Sequence, residues 1–252
     1  MTAIQQQPIA IVTGASNARG IAAATCRKLA EQSIDIFFTY WQSEPYWPAV
    51  FEQEIAHHGV RCASMELDLS HVDAHTILLD RVSGQLGYPT ILINCAAHSV
   101  DSNYQDLTAK TLDDHYYTNV RATSMLCVEF ARRYERLNLS SGRIINLTSG
   151  QGLGPMPGNL AYAVSKAAIS AFSESLSAEL AHLGITVNAV NPGPTDTNWM
   201  TDEIRTHILA KSPMGRIGQP KDAACVIAFL ASEDARWITG QVIHSEGGFY
   251  RG

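Results

Sequence analysis

The stretch "IAIVTGASNARGIAAA", residues 9–24, begins as a strand and ends as a helix, with a glycine turn between them. Its first four residues are apolar without interruption, as in a strand buried on both faces. Gly14 ends that run, and Gly20-Ile21-Ala22 opens a stretch of helical spacing with few β-branched residues. A tight turn into a helix N-terminus aims backbone N–H groups and the positive dipole end at whatever lies above it. A pyrophosphate suits that place. The dinucleotide fingerprint G-x-G-x-x-G is not present. Taken alone, the turn equally suits a strand-to-helix connection with no ligand.

The same alternation continues down the chain. Strand-like runs occupy residues 34–41, 60–68, 90–97, 142–150, 185–193 and 240–248. Helical spacing fills 71–87, roughly 112–137, 161–184 and 221–233, and Gly184 stands where a helix would stop in a left-handed residue. Alternating β and α elements require right-handed crossovers. The prediction is a single-domain, doubly wound α/β Rossmann fold over residues 1–252, with about seven parallel strands and helices on both faces. Ligands in such a sheet bind at the carboxyl ends of the strands, near the switch in strand order.

Composition narrows the partners. Twenty-four acidic and 18 basic side chains give a net charge of −6, which argues against nucleic acid and anionic membranes, since both need a basic patch. No run of 18 apolar residues is present, so no membrane span is expected. The N-terminal "MTAIQQQPIAIVTG" has neither a charged leader region nor a cleavage site. Five scattered cysteines without a CxxC fit reduced thiols in the cytoplasm. His71 and His75 have the i, i+4 spacing of some zinc helices. No HExxH and no third ligand accompany them, so no metal is predicted. G-x-S-x-G is lacking, and the glycine turn lacks the Gly-Lys-Ser/Thr end of a P-loop.

One pair of residues points to chemistry. In "AYAVSKAAISAF", residues 161–172, Tyr162 precedes Lys166 by one helical turn. Such residues share a face, with about 5–6 Å between Cβ atoms. An ammonium that close favours the phenolate and lowers the tyrosine pKa, giving a proton donor usable near neutral pH. A bare Tyr-x-x-x-Lys is also common on ordinary amphipathic helices.

The chain as a whole resembles the short-chain dehydrogenase/reductase family. "TGASNARGIA" is similar to that family's T-G-x-x-x-G-x-G turn, except that Gly20 lies six positions after Gly14 and Ala22 replaces the last glycine. The longer turn also resembles the divergent branch that includes enoyl-acyl-carrier-protein reductases. "NCAA" (94–97) is similar to N-N-A-G, "NPGPTDT" (191–197) to the Pro-Gly turn beside the nicotinamide, and residues 215–248 to the C-terminal pattern. The resemblance implies a catalytic set of Asn119, Ser149, Tyr162 and Lys166. Tyr162 would exchange the proton, Ser149 would polarise the substrate oxygen, Lys166 would hold the nicotinamide ribose and Asn119 would anchor a water chain. It implies dinucleotide contacts from Gly14, Ser16, Arg19, Gly20, Ile21, Tyr40, Asp68, Leu69, Asn94, Ala96, Pro192, Gly193, Thr195 and Thr197, besides Tyr162 and Lys166. Asp68 would meet the adenine amino group.

No acid ends the second strand, "FFTYWQSE", and Arg19 could meet a 2′-phosphate, which tips the choice to NADP(H) and leaves NAD(H) open. "WQSEPYWPAVF" (41–51) is read as an aromatic loop that packs on adenine or on the protein. Residues 195–216 are read as the substrate lid. The expected activity is interconversion of a ketone, such as a 3-oxoacyl thioester, and a secondary alcohol. The rivals are an enoyl-thioester reductase, whose branch has a longer Tyr–Lys interval, and a silent dinucleotide sensor. The resemblance further implies a homotetramer built on the helices near 112–137 and 160–183 and on the C-terminal segment.

Overall fold

The computed structural model describes residues 7–250; residues 1–6, part of the stretch read for a leader, and 251–252 lie outside the described residues. Strand β1 (Ile9–Val12) is buried along its whole length. Its two faces serve two cores. Ala10 and Val12 pack with Cys26 and Leu29 of α1 (Ile21–Ala30). Ile9 and Ile11 pack with Leu78 and Val82 of α3 (Ala74–Gln85). This two-sided burial is why the strand is apolar at every position.

Beside β1 stand β2 (Asp35–Tyr40) and β4 (Ile91–Asn94), both parallel to it. With β3 (Cys62–Glu66), β5 (Gly142–Leu147), β6 (Ile185–Asn191) and β7 (Val242–His244) they form one seven-stranded sheet in the order β3-β2-β1-β4-β5-β6-β7. The order reverses between β1 and β4, so the crevice opens between Gly14 and the turn at Cys95–His98. α1 shares its face with α2 (Trp47–Ala56) and α8 (Pro220–Ala231). The other face holds α3, α5 (Thr123–Arg136) and α6 (Leu160–Leu180). α7 (Asp202–Ala210) lies within the segment read as a lid.

Two elements differ from the sequence reading. The aromatic stretch after β2 is not only loop, because α2 begins at Trp47. Pro48 sits in its first turn, where a missing N–H costs nothing. Phe51 and Ile55 of α2 are fully buried, and Trp47 stacks on Phe51 at 4.5 Å. The helix read over 112–137 starts earlier, as α4 (Ala109–His115), and passes through a π-helical segment (Tyr116–Ala122) before α5. Gly184 does stop the α6 segment in the left-handed region, at φ 70°.

Candidate active site

The glycine turn is shaped by close approach. Gly14 has φ 82°, and a Cβ there would lie 2.7 Å from the Ala96 Cα. Only glycine lets the ends of β1 and β4 come so near. The Thr13 hydroxyl closes the same gap by accepting from the N–H groups of Cys95 and Ala96, each at 3.1 Å. Gly20 is the N-cap of α1 and offers no side-chain cap, so first-turn N–H groups of α1 stay available to an anion. These features fit a dinucleotide: a glycine cradle that a side chain would fill, beneath a helix N-terminus with uncapped donors.

Above the turn lies a cavity of about 570 Å³. Gly14, Ser16, Tyr40, Asp68, Leu69 and Ala96 of the expected dinucleotide contacts line it, together with Trp41 and His98. Trp41 therefore faces the cavity. Trp47 does not, and its indole N–H donates to the Ala15 carbonyl at 2.8 Å. Asn94, the last residue of β4, does not line the cavity; it is 3% exposed, with its amide nitrogen on Asn146 Oδ1 at 2.8 Å and its own Oδ1 without a partner among the described residues. Arg19 points elsewhere, donating to Asn198 Oδ1 at 2.8 Å. Pro192 to Thr197 follow β6. Gly193 is left-handed (φ 63°), and a Cβ there would strike the Glu246 side chain at 2.3 Å. Thr195 Oγ1 donates back to the Pro192 carbonyl at 3.1 Å, and Thr197 N–H donates to the Thr195 carbonyl at 3.0 Å.

The catalytic candidates sit at the end of β5, on α6 and in the π-helical segment before α5. Lys166, fully buried on α6, donates from Nζ to the Leu147 carbonyl at the end of β5, 2.8 Å away. Thr148 Oγ1 donates to the Lys166 carbonyl at 2.9 Å. Ser149 comes next, half-buried, with Oγ 3.7 Å from Met156 Sδ. One turn before Lys166, Tyr162 places its ring centroid 5.7 Å from that ammonium. Asn119 is buried inside the π-helical segment, a distortion that recurs at functional sites. Its Oδ1 accepts from the His98 N–H at 2.7 Å, and its Nδ2 donates to the His98 carbonyl at 2.8 Å and to Ser165 Oγ at 2.9 Å. Ser165 in turn donates to the Tyr162 carbonyl at 2.8 Å. Asn119 thus braces α6 against the turn after β4. Both its amide hydrogens are spent, so an ordered water would bond to its backbone or to the second lone pair of Oδ1.

The electrostatics correct the sequence expectation. Burial pushes the Tyr162 phenol up to about 12, rather than Lys166 drawing it down. The ammonium is itself desolvated, which lowers the Lys166 pKa to about 8, with a smaller opposing effect from Cys95. It is also directed at a backbone carbonyl. In the protein alone, burial outweighs the cation at the phenol.

Two histidines escaped the sequence reading. His115 is buried with its ring edge-on to Tyr162, centroids 6.5 Å apart. Its Nδ1 meets the Thr111 carbonyl at 2.7 Å and its Nε2 accepts from the Val100 N–H at 3.2 Å, which together define the neutral Nδ1–H tautomer. His98 packs on His115 at 4.6 Å. Burial first, then His115, lowers the His98 pKa. A histidine directly after "NCAA" was the available signal. His71 and His75 join no metal cluster, since no group of three or more potential ligands occurs among the described residues.

A doubly wound sheet, a glycine cradle at its switch point and a tyrosine–lysine pair behind the next strand define a dinucleotide-dependent oxidoreductase. Comparison with known proteins narrows the class. The family profile described as Enoyl-(Acyl carrier protein) reductase matches residues 14–250. The chain is 62% identical over 247 residues to the "Uncharacterized oxidoreductase YjdA" of Bacillus subtilis, covering 98% of each. It is 36% identical to the 3-oxoacyl-[acyl-carrier-protein] reductase FabG of Staphylococcus aureus, covering 96% of this chain and 97% of that one. A Serratia marcescens short-chain dehydrogenase/reductase variant superposes with a TM-score of 0.88 at 28% identity, over 97% of this chain and 98% of that one. The acetoin dehydrogenase of Enterobacter cloacae superposes at 0.86 and 26% identity, over 97% and 96%. The chain belongs to the short-chain dehydrogenase/reductase family and is an oxidoreductase that uses NAD(P)(H).

Proposed function

We propose that this protein interconverts a ketone and a secondary alcohol, with Tyr162 giving the proton in reduction and taking it in oxidation. The observation that carries the reading is the α6 pair: Lys166 is anchored to the Leu147 carbonyl beside Ser149, and Tyr162 lies one turn away against its ammonium. The bound nicotinamide supplies or accepts the hydride. Ser149 Oγ would hold the substrate oxygen, because among the described residues only the weak Met156 sulfur engages it. Lys166 would hold the nicotinamide ribose, and its charge would stabilise a phenolate that burial otherwise disfavours. The relatives named as 3-oxoacyl reductases support a 3-oxoacyl thioester as the substrate class. The one-turn Tyr–Lys interval supports a ketone over an enoyl substrate.

For the cofactor, the pocket supports NADH over the NADPH read from Arg19. The Arg19 guanidinium is bound to Asn198 instead of lining the cavity beside Tyr40. Glu66 accepts from the Gln42 N–H at 3.3 Å, placing a carboxylate at the end of β2. A 2′-phosphate would meet that negative charge, whereas a 2′-hydroxyl adds none. A homotetramer and a cytoplasmic location complete the reading. Leu112, Tyr116, Val164 and the 96%-exposed Trp237 leave apolar surface on the expected interface elements.

Tyr162→Phe tests the mechanism. The variant is expected to bind NADH as the wild type does, more tightly than NADPH, by fluorescence titration. Its turnover across ketone and enoyl thioester panels should fall by about 10²–10⁴-fold, the usual worth of a positioned acid. Wild-type rates in the variant would remove Tyr162 from the chemistry. Wild-type turnover of enoyl substrates alone would favour the enoyl reductase. Binding without turnover on either panel would favour the sensor.

A further inference from the structure

The glycine turn is two residues longer than the T-G-x-x-x-G-x-G pattern it resembles, and the structure shows where the extra length leads. Asn17 Oδ1 accepts from the Arg19 N–H at 3.0 Å, which fixes the direction of the turn before Gly20. From there the Arg19 guanidinium donates to Asn198 Oδ1 at 2.8 Å, across 179 positions of sequence. Asn198 is left-handed, φ 79°. Asparagine is among the few non-glycine residues that visit that region readily. Its N–H donates to Asp196 Oδ1 at 3.1 Å. Asp196 also receives Arg205 of α7, at 2.5 and 3.3 Å. A continuous chain of bonds therefore runs from the turn under the cofactor cavity to the helix of the 195–216 segment.

We propose that Arg19 and Asn198 are positioning residues that latch the glycine turn to the substrate lid, so that a dinucleotide held at the turn orders the lid. The latch rests on the reading of the turn as the dinucleotide site and of residues 195–216 as the lid. It accounts for three features at once: the lengthened turn, an arginine turned away from the adenosine side, and an asparagine at a left-handed position. The coupling is reciprocal, so a lid closed over substrate tightens the turn on the dinucleotide by the same factor.

Trypsin reads the lid directly, because Arg205, Lys211 and Arg216 lie within it. Saturating NADH is expected to slow cleavage at these sites in the wild type by about fivefold, the low end of site–site coupling. Asn198→Gly removes the amide without adding backbone strain. It should still bind NADH by fluorescence titration and lose that protection. Asn198→Asp restores an acceptor for Arg19 and should keep it. Each comparison is the ratio of cleavage rates with and without NADH, so a uniformly looser lid does not enter. Protection retained in Asn198→Gly, or absent from wild-type protein that binds NADH, overturns the latch. Failure of the wild type to bind NADH or NADPH at all overturns the dinucleotide reading itself, and the latch with it.

Discussion

Beside β1 the crevice is made of backbone: Gly14 against Ala96, with the Thr13 hydroxyl across the gap. Beside β5 it is made of buried side chains. Asn146 accepts from Asn94 at 2.8 Å and donates to Ser173 at 2.9 Å, while Thr148 and Leu147 take hold of Lys166 from the strand. The first wall offers space and N–H donors to a ligand held mainly by its phosphates. The second fixes the direction of a few side chains and is anchored two layers deep in α6. Ligand recognition through backbone tolerates a long, altered turn. Proton transfer by side chains needs the polar ladder behind them, because a buried polar group without a partner is costly.

The largest effect should come from breaking the backbone wall. Gly14→Ala forces a left-handed alanine, costing about 1–2 kcal/mol, and drives its Cβ into the Ala96 backbone at 2.7 Å. The strand ends must part, and the cavity floor moves with them. NADH affinity is expected to fall by at least about tenfold, since 1.4 kcal/mol is a factor of ten. Titration of folded protein checks this, and unchanged affinity would mean the floor is not the cofactor cradle.

Asn146→Ala breaks the other wall. It leaves Ser173 and Asn94 short of a buried partner, and Asn94 Oδ1 already has none among the described residues. The expected cost is about 1–3 kcal/mol of stability, or roughly 2–4 °C in Tm per kcal/mol for a domain of this size. NADH affinity should not change, because Asn146 does not line the cavity. Loss of affinity without loss of Tm would reverse the roles assigned to the two walls.

The two walls also differ in how far the sequence reveals them. All seven strands are legible: the central ones, buried on both faces, have no polar alternation to confuse them, and the partly exposed edge strands β3 and β7 follow from the alternation of β and α elements. Gly14 is legible through local pattern, Ser16, Asp68 and Ala96 through the family resemblance, and the structure gathers all of them around one cavity. α2 is hidden by Pro48 and by aromatic residues that suit a loop as well as a first turn. The π-helical segment is hidden because a shift from i−4 to i−5 bonding leaves the apolar spacing nearly unchanged. Arg19 is misdirected because its partner, Asn198, is remote in sequence. The direction of the Tyr162 shift is missed for a related reason. Sequence spacing gives the distance to a cation but not the burial that opposes it.

The last prediction tests that burial. Lys166 titrates near 8 in the folded chain against 10.5 when free, so between those values the unfolded chain binds more protons. Stability from this group therefore rises as pH rises through 8 to 10.5, as the cost of a buried ammonium disappears. Tyr162 acts in the opposite sense, holding its proton from 10 to about 12 and losing stability as pH climbs through that window. Buried Cys127 and half-buried Cys62 and Cys95, each pushed from 9.0 to about 12, also subtract stability above pH 9. Raw melting curves will mix these contributions. The difference between wild type and Lys166→Met cancels the cysteine and tyrosine parts up to pH 10, because groups pushed up to about 12 keep their protons in both folded proteins over that range. That difference in Tm should grow in favour of the wild type from pH 8 to 10 and stay level from pH 6 to 7.5. A flat difference across the whole range would mean that Lys166 is solvated in the folded protein. The second wall of the crevice would then be as open to water as the first.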